Sequence, residues 1–168
     1  KRGQVVAALK ERMASDPSGP QTLRVLMHSL AFGTLRNYVT ADPKEGITQP
    51  QMEMTLDVMA NSLVYWTQDL FRAGVLGEGS RIYAMTSSGS TRVIATYGAV
   101  SAAKAALESH CRQLAMELAP HKVTVNAIRA GVTDTAALRK IPVADMLVAH
   151  AAAGNPSGRA TTTQDVAR

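Results

Sequence analysis

The sequence predicts an α/β fold, a three-layer sandwich in which helices flank a parallel sheet. Two observations carry this prediction: helical and strand-like patterns alternate along the chain, and most connections between them are short. Parallel strands joined by helices in right-handed crossovers account for that order. Only three strands are readable, and a parallel sheet of three strands would leave much apolar surface open. We therefore expect residues 1–168 to be one partial domain, an incomplete portion of a larger sheet domain.

The first half of the chain contributes two helices and one strand. Residues 3–14 carry apolar side chains at helical spacing, and the proline- and glycine-containing segment 16–20 breaks that helix. Residues 23–27 predict a short apolar strand, and residues 34–49 predict a long loop of the kind that is often functional. A second helical pattern covers 50–73 and ends before a cluster of glycines.

The second half contributes two more strands and three helical patterns. The strands are predicted at 81–86 and 122–128, and the helices at 97–119, 143–153 and 162–168. Each strand runs into a loop of hydroxyl side chains and glycine, 86–90 after the first and 130–135 after the second. Because the carboxyl ends of parallel strands meet at one edge of a sheet, we expect these loops to form one wall of a ligand crevice.

The composition argues against several classes of protein. The net charge is +5, from 18 Lys and Arg against 13 Asp and Glu, but the basic residues are scattered rather than clustered as in a nucleic-acid site. The single cysteine, Cys111, forms no internal disulfide, and it shows no metal-ligand spacing with the four histidines. No apolar run approaches the length of a membrane span. We expect a cytoplasmic protein without metal, membrane or nucleic-acid partners.

Tyr97 and Lys104 form the main candidate for chemistry. Seven residues on a helix correspond to about 700°, almost two turns, so the two side chains share a face roughly 10 Å apart along the axis. Helical side chains lean toward the N-terminus, so we expect the ammonium to point back toward the phenol. A phenol beside a lysine can stabilise a developing oxyanion. A surface tyrosine and a solvated lysine would show the same spacing, so this pair alone leaves both interpretations open.

The block 81–135 resembles the C-terminal half of a short-chain dehydrogenase/reductase, a superfamily with a Rossmann-like fold. That superfamily has a strand ending in serine, a Tyr-x3-Lys pair on the next helix, and then a strand reading Val-Asn-x-Ile/Val. This chain carries Ser87, Lys104 and the run VNAI at 125–128 at matching separations.

The position of the tyrosine makes the resemblance more specific. The usual tyrosine position, four residues before Lys104, holds no tyrosine here, and the tyrosine stands instead at Tyr97. The resulting Tyr-x6-Lys spacing is the hallmark of the enoyl-acyl carrier protein reductases. The runs HSLAF at 28–32 and AKAALE at 103–108 also resemble that branch. Many of its members have a second tyrosine where this chain has Ser87, which marks a subtype and leaves the proton-donating group open.

The resemblance implies an oxidoreductase that reduces the carbon–carbon double bond of an enoyl thioester on acyl carrier protein, in fatty acid biosynthesis. The cofactor would be NADH or NADPH. By the same resemblance, Lys104 would hydrogen-bond the nicotinamide ribose, Tyr97 would stabilise the enolate of the substrate, and Ser87 would support the tyrosine or the thioester carbonyl. The other implied cofactor contacts are Ser29, Leu30, Gly131, Thr133 and Thr135, and Gly33 would lie beside the substrate.

The resemblance also implies what lies outside this chain and how copies associate. No glycine-rich phosphate-binding loop follows any predicted strand, so we expect the N-terminal part with that loop, and a C-terminal strand, to be missing. The long helices 50–73 and 97–119 imply a homo-oligomer, either a dimer or a tetramer. His28, which follows the first strand, is expected to be structural.

Two other functions remain open at this point. One is a carbonyl or 3-ketoacyl thioester reductase with an unusual tyrosine position. The other is a catalytically inactive member of the fold. Whether the protein acts on a ketoacyl or on an enoyl thioester distinguishes the first from an enoyl reductase. Whether it binds the nucleotide tests the second.

Overall fold

The structure, a computed structural model, describes residues 1–18, 21–141 and 143–167. Gly19 and Pro20 of the predicted break, and Arg168 of the last predicted helix, lie outside these residues. The chain divides into two compact units, Lys1–Ile128 and Arg129–Arg168. The expectation of one partial domain over 1–168 stays a prediction. Within the described residues, we find no helix with the length and apolar character needed to cross a bilayer.

The first unit contains four α-helices, one π-helical turn and three strands among its described residues. The helices are α1 Arg2–Ala14, α2 Gln49–Leu56, α3 Ser62–Arg72 and α4 Gly98–Leu118, and the π-helical turn is Asp57–Asn61. The strands are β1 Val25–His28, β2 Arg81–Met85 and β3 Thr124–Ile128. The α/β class and all three strands are therefore confirmed.

The three strands form one parallel sheet in the order β1-β2-β3. Ile82 of β2 lies opposite Leu26 of β1 and Val125 of β3. Because the sheet is parallel and the strands are in register, their carboxyl ends reach the same edge. The loops that follow β1 and β2 therefore begin next to each other. The wall expected from the loops 86–90 and 130–135 stays a prediction.

Helix α4 supplies much of the core of this unit. Its buried apolar side chains recur at helical spacing and include Ala103, Leu107, Cys111, Leu114 and Leu118. They belong to the same buried cluster as the β2 side chains of Ile82 and Ala84, both of which are fully buried. A helix with one apolar stripe is stable when that stripe packs on a sheet, and this packing fixes how α4 lies over the strands.

The segment predicted as one helix over 50–73 is interrupted by the π-helical turn. The helix begins with a capping box, in which Thr48 Oγ1 accepts from Gln51 N and Gln51 Oε1 accepts from Thr48 N at 3.0 Å. At the π turn the regular i to i−4 pattern changes, and the Ser62 hydroxyl donates to the Val58 carbonyl at 2.7 Å. No proline or glycine marks this change, so periodicity alone predicts an unbroken helix.

The second unit contains α5 Ala144–Gly154 and α6 Thr163–Ala167 among its described residues. Thr133 and Thr161 form an isolated parallel bridge. Asp165 accepts from both the backbone and the hydroxyl of Thr162, which caps the short helix α6. The alanine-rich helix predicted at 143–153 is confirmed.

Truncation of the α4 core should lower stability much more than truncation on its exposed face. Leu107 is 0% exposed, and Leu107→Ala should lower the free energy of unfolding by about 2–5 kcal/mol, through lost burial and the cavity that remains. Met116 on the same helix is 64% exposed, so Met116→Ala is the matched control and should cost under about 0.5 kcal/mol. Urea unfolding measures both; equal losses would contradict this packing.

Candidate functional site

The Lys104 side chain is buried at the point where α4 passes the carboxyl ends of β1 and β2. The residue is only 5% exposed. Its Nζ donates to the carbonyl of Met85, the last residue of β2, at 2.7 Å and to the carbonyl of Leu30 at 3.2 Å. An ammonium has three N–H bonds, so one remains for a ligand. Of the two interpretations that the spacing leaves open, the solvated lysine is therefore wrong.

Burial also changes the acidity of this group. Loss of contact with water disfavours the charged form and lowers the pKa of Lys104 from 10.5 to about 8. His28 is buried nearby, and burial together with the charge of Lys104 lowers the pKa of this imidazole from 6.5 to about 4. His28 is therefore neutral near pH 7, so it adds no second positive charge beside the ammonium.

His28 is fixed by a short hydrogen-bond chain to the π-helical turn. The Ser62 hydroxyl donates to Val58, so its oxygen accepts from His28 Nε2 at 2.8 Å. This chain assigns the imidazole proton to Nε2. His28 Nδ1 is buried, with no hydrogen-bond partner among the described residues. The expectation of a structural role agrees with this burial and this contact.

Tyr97 is the N-cap residue of α4 rather than its first helical residue. Its carbonyl accepts from Ser101 N at 2.8 Å, which begins the helix. The preceding residue, Thr96, has φ of 63°, a left-handed conformation that is uncommon for a β-branched residue. The Tyr97 ring lies against Gly89, where an added Cβ would stand 2.6 Å from Tyr97 Cε1.

Ser87 also lies close to Gly89. Its hydroxyl oxygen accepts from Gly89 N at 3.1 Å and caps the short 3-10 turn Ser88–Ser90. The oxygen would also stand 3.4 Å from a Cβ at Gly89. The structure thus brings the Ser87 hydroxyl and the Tyr97 ring together around one glycine, close to where β2 ends.

The other predicted residues of this unit follow β1. Ser29 is exposed and Leu30 is 37% exposed, while the Leu30 carbonyl faces Lys104. Gly33 is tightly packed: a Cβ there would stand 2.8 Å from side-chain atoms of Thr55, Met59 and Val100. Only glycine lets this backbone approach the helices so closely.

The predicted residues of the loop 131–135 belong to the second unit. Thr133 Oγ1 donates to the Gly131 carbonyl at 3.0 Å, and Thr135 Oγ1 accepts from Leu138 N at 3.2 Å. A Cβ at Gly131 would collide with the Thr161 hydroxyl. Two hydroxyls of this loop therefore stabilise the loop itself.

Sequence reasoning missed three residues around Tyr97: Gly89, Thr96 and Glu108. One Oε1 atom of Glu108 accepts from Thr86 Oγ1 at 2.6 Å and from Ser90 Oγ at 2.8 Å. A signal for Glu108 exists, since it follows Lys104 by one helical turn and shares its face of α4. The left-handed conformation of Thr96 has no such signal, because threonine rarely adopts it.

A groove of about 420 Å³ lies beside the first turns of α4. Its walls include Arg36, Tyr38, Arg92, Ile94 and Ser101. Tyr97 and Lys104 are not among the residues that line this groove. No set of three or more metal-ligating side chains is grouped within the described parts of the chain.

The family model described as enoyl-(acyl carrier protein) reductase matches residues 4–168. The chain is 30% identical over 148 residues to the NADH-dependent enoyl-[acyl-carrier-protein] reductase FabI of Aquifex aeolicus, covering 86% of this chain and 53% of that protein. The FabI of Escherichia coli is 29% identical over 140 residues, covering 83% of this chain and 52% of that protein. The chain thus spans about half the length of these relatives.

A shorter similarity involves a differently named reductase. The 1-cyclohexenylcarbonyl-CoA reductase of Streptomyces collinus is 41% identical over 64 residues, which cover 38% of this chain and 23% of that protein.

Solved structures show the same fold. The crystal structure of FabI from Candidatus Liberibacter asiaticus superposes with a TM-score of 0.82 at 26% identity, covering 98% of this chain and 60% of that one. The Bacillus cereus enoyl-acyl carrier protein reductase with NADP+ and indole naphthyridinone gives a TM-score of 0.78 at 26% identity, covering 97% and 60%. The Rossmann-like fold that the resemblance implies is confirmed.

Burial of Lys104 should appear in the pH dependence of stability. The lysine pKa is about 8 when folded and 10.5 as its ordinary value, so between these pH values the unfolded state binds more protons. The free energy of unfolding should therefore rise with pH relative to Lys104→Met, by up to about 1.4 kcal/mol per pH unit, and the difference should be constant below pH 8.

Urea unfolding from pH 7 to pH 10.5 measures this difference. Lys10→Met, on an exposed position of α1, controls for the loss of one lysine. Parallel curves for the wild type and Lys104→Met would contradict a buried ammonium.

Proposed function

This chain belongs to the enoyl-(acyl carrier protein) reductase family, and on that premise we propose the activity of the complete protein that contains it. That protein reduces the carbon–carbon double bond of an enoyl thioester carried on acyl carrier protein, as a step of fatty acid biosynthesis. NADH or NADPH is the reductant. The curated FabI relatives are named as NADH enzymes, and the Bacillus cereus structure holds NADP+.

One observation supports this proposal above the others. A buried lysine of α4, tethered to the carbonyl of Met85 at the end of β2 and to that of Leu30 just beyond β1, follows the N-cap tyrosine of its helix by seven residues. Burial of the lysine costs desolvation free energy that packing alone does not explain, since a methionine would fill the same space without desolvating a charge. Cofactor binding gives a reason for it, because the remaining N–H of Lys104 can donate to ribose hydroxyls.

The residues present fit a nicotinamide nucleotide. Lys104 holds the nicotinamide ribose, and Ser29 and Leu30 flank the same nucleotide from the segment after β1. The bound cofactor supplies hydride to the β-carbon of the substrate. Leu30 combines an exposed side chain with a carbonyl bonded to Lys104, so one residue contributes to both the cofactor surface and the lysine position.

Tyr97 and Ser87 act on the thioester. As hydride arrives at the β-carbon, negative charge develops on the thioester oxygen, and the Tyr97 hydroxyl donates a hydrogen bond to that enolate oxygen. Protonation at the α-carbon completes the reduction, so one hydride and one proton add across the double bond. Ser87, which lies near the Tyr97 ring at Gly89, supports the Tyr97 hydroxyl or the thioester carbonyl.

The remaining predicted contacts are part of the same proposal. Gly131, Thr133 and Thr135 meet the carboxamide and pyrophosphate of the cofactor, and Gly33 lies beside the substrate. In this role Gly33 would present its backbone to the substrate, because its packing leaves no room for a side chain.

We also propose a cytoplasmic homo-oligomer, either a dimer or a tetramer. The family resemblance supports association through the helices α3 and α4, and the large apolar side chain of Met116 on α4 is 64% exposed. Sedimentation equilibrium of the complete protein measures its mass; a monomer at micromolar concentration would contradict this proposal.

Removal of the Tyr97 hydroxyl should lower the rate of reduction. Tyr97→Phe in the complete protein should reduce kcat by about 100-fold, because one donor to the enolate is lost, with a small change in KM for NADH. Tyr65→Phe, on α3 and in contact with Arg2, is the matched control and should keep kcat within about threefold. Loss of NADH absorbance with an enoyl thioester measures both variants.

Substrate choice tests the reaction itself. The complete protein should oxidise NADH or NADPH with an enoyl-acyl carrier protein and not with a 3-ketoacyl-acyl carrier protein. An enoyl coenzyme A thioester belongs in the same series, because the Streptomyces relative is named as a CoA reductase. Oxidation with the ketoacyl thioester alone would sink the proposal in favour of a carbonyl reductase, and cofactor binding without turnover would favour an inactive member of the fold.

A further inference from the structure

We propose that Glu108 is a positioning residue of this site, because its carboxylate holds the turn on which the Tyr97 ring rests. The inference depends on the proposed function for its effect on turnover. Its structural part, that Glu108 orders the segment from Thr86 to Tyr97, can be tested without any substrate.

The carboxylate of Glu108 binds the turn at two points. Its Oε1 accepts from Thr86 Oγ1 at 2.6 Å and from Ser90 Oγ at 2.8 Å. These two hydroxyls stand on either side of the Ser87–Gly89 segment. Hydroxyl donors to an ionised acceptor form short, strong hydrogen bonds, and the bond from Thr86 is in that range. One side chain thus fixes both ends of the turn.

The turn held in this way is the surface that supports Tyr97. Gly89 stands at its centre, and both the Tyr97 ring and the Ser87 hydroxyl lie close to the point where a Cβ would be added to it. An added Cβ at Gly89 would be 2.6 Å from the ring, so there is no free space between the ring and the turn. A shift of the turn must therefore move the phenol, the serine hydroxyl, or both.

The position of Glu108 on α4 makes the arrangement rigid. It lies one helical turn after Lys104, on the helix that Tyr97 caps. The same helix therefore carries the lysine, begins at the tyrosine and holds the turn that supports the tyrosine. The backbone continues this connection, since Thr86 N donates to the Ile128 carbonyl of β3 at 2.9 Å. Sites built on helices and strands hold their geometry better than sites built on loops.

The threonine before Tyr97 adds a second reason for such support. Thr96 adopts φ of 63°, a strained conformation for a β-branched residue that persists only where the surroundings enforce it. Packing of Tyr97 on a fixed turn is one such constraint. Without Glu108, the turn and the strained residue would relax together.

Three variants of the complete protein separate positioning from general stability. Glu108→Leu removes the oxygen that accepts both hydrogen bonds and keeps a side chain of similar size. Glu108→Gln keeps an oxygen that can accept from both hydroxyls. Glu117→Leu removes an exposed carboxylate of α4 that accepts from Gln113, and serves as the matched control. Amide hydrogen exchange over 86–97, kcat and KM for NADH are measured for each variant.

Glu108→Leu should increase exchange over 86–97 at least about tenfold while leaving β2 and the middle of α4 protected. Its kcat should fall by about 10-fold to 100-fold with KM for NADH within about threefold, because the phenol is misplaced while Lys104 stays in position. Glu108→Gln should restore kcat to within about threefold of the wild type, and Glu117→Leu should match the wild type throughout.

Each other result counts against the proposal. Unchanged exchange over 86–97 in Glu108→Leu would overturn the structural claim, whether or not the protein reduces enoyl thioesters. Increased exchange throughout the protein would assign Glu108 to general stability, and so would a failure of Glu108→Gln to restore kcat. If the wild type reduces no enoyl thioester, the proposed function fails, and the exchange data alone decide the role of Glu108.

Discussion

The burial of a single ammonium group governs the geometry of the first unit. Lys104 is removed from water, and a buried charge is tolerated only where hydrogen bonds replace the lost hydration. The carbonyls of Met85 and Leu30 provide that replacement, and each comes from the end of a different strand. The ammonium therefore requires β1 and β2 to end side by side, with α4 lying over them. The sheet, the helix and the candidate site share one electrostatic constraint.

The surroundings of the ammonium are consistent with that constraint. His28, which is buried nearby, is kept neutral by burial and by the charge of Lys104 itself. Its Nε2 proton is directed away to Ser62, whose own proton goes to a carbonyl of the π-helical turn. A second positive charge beside the ammonium is thus avoided.

The sequence predicted the parts of this arrangement that depend on side-chain pattern. Alternating helix and strand patterns are sufficient for the parallel sheet. The shared face of Tyr97 and Lys104 stays a prediction, since Tyr97 caps α4 rather than standing within it. The partners of Lys104 are backbone carbonyls, which every residue has, so no residue type identifies them in advance. The packing of Tyr97 on Gly89 is equally hidden, since it arises where a loop and a helix start meet in space. Glu108 was visible as a carboxylate one turn beyond the lysine, but its hydroxyl partners depend on how the loop folds back.

The π-helical turn between α2 and α3 affects how that long helix meets the core. Thr55, Met59, Leu63 and Thr67 are all at most 2% exposed, and each follows the last by four residues. In an uninterrupted α-helix, each step of four advances about 40° beyond a full turn, so three steps drift by about a third of the circumference. The wider π turn absorbs part of this drift and acts as a phase correction. It keeps a four-residue repeat in contact with α4, and the loss of one residue within 57–61 would put the two halves of the helix out of phase.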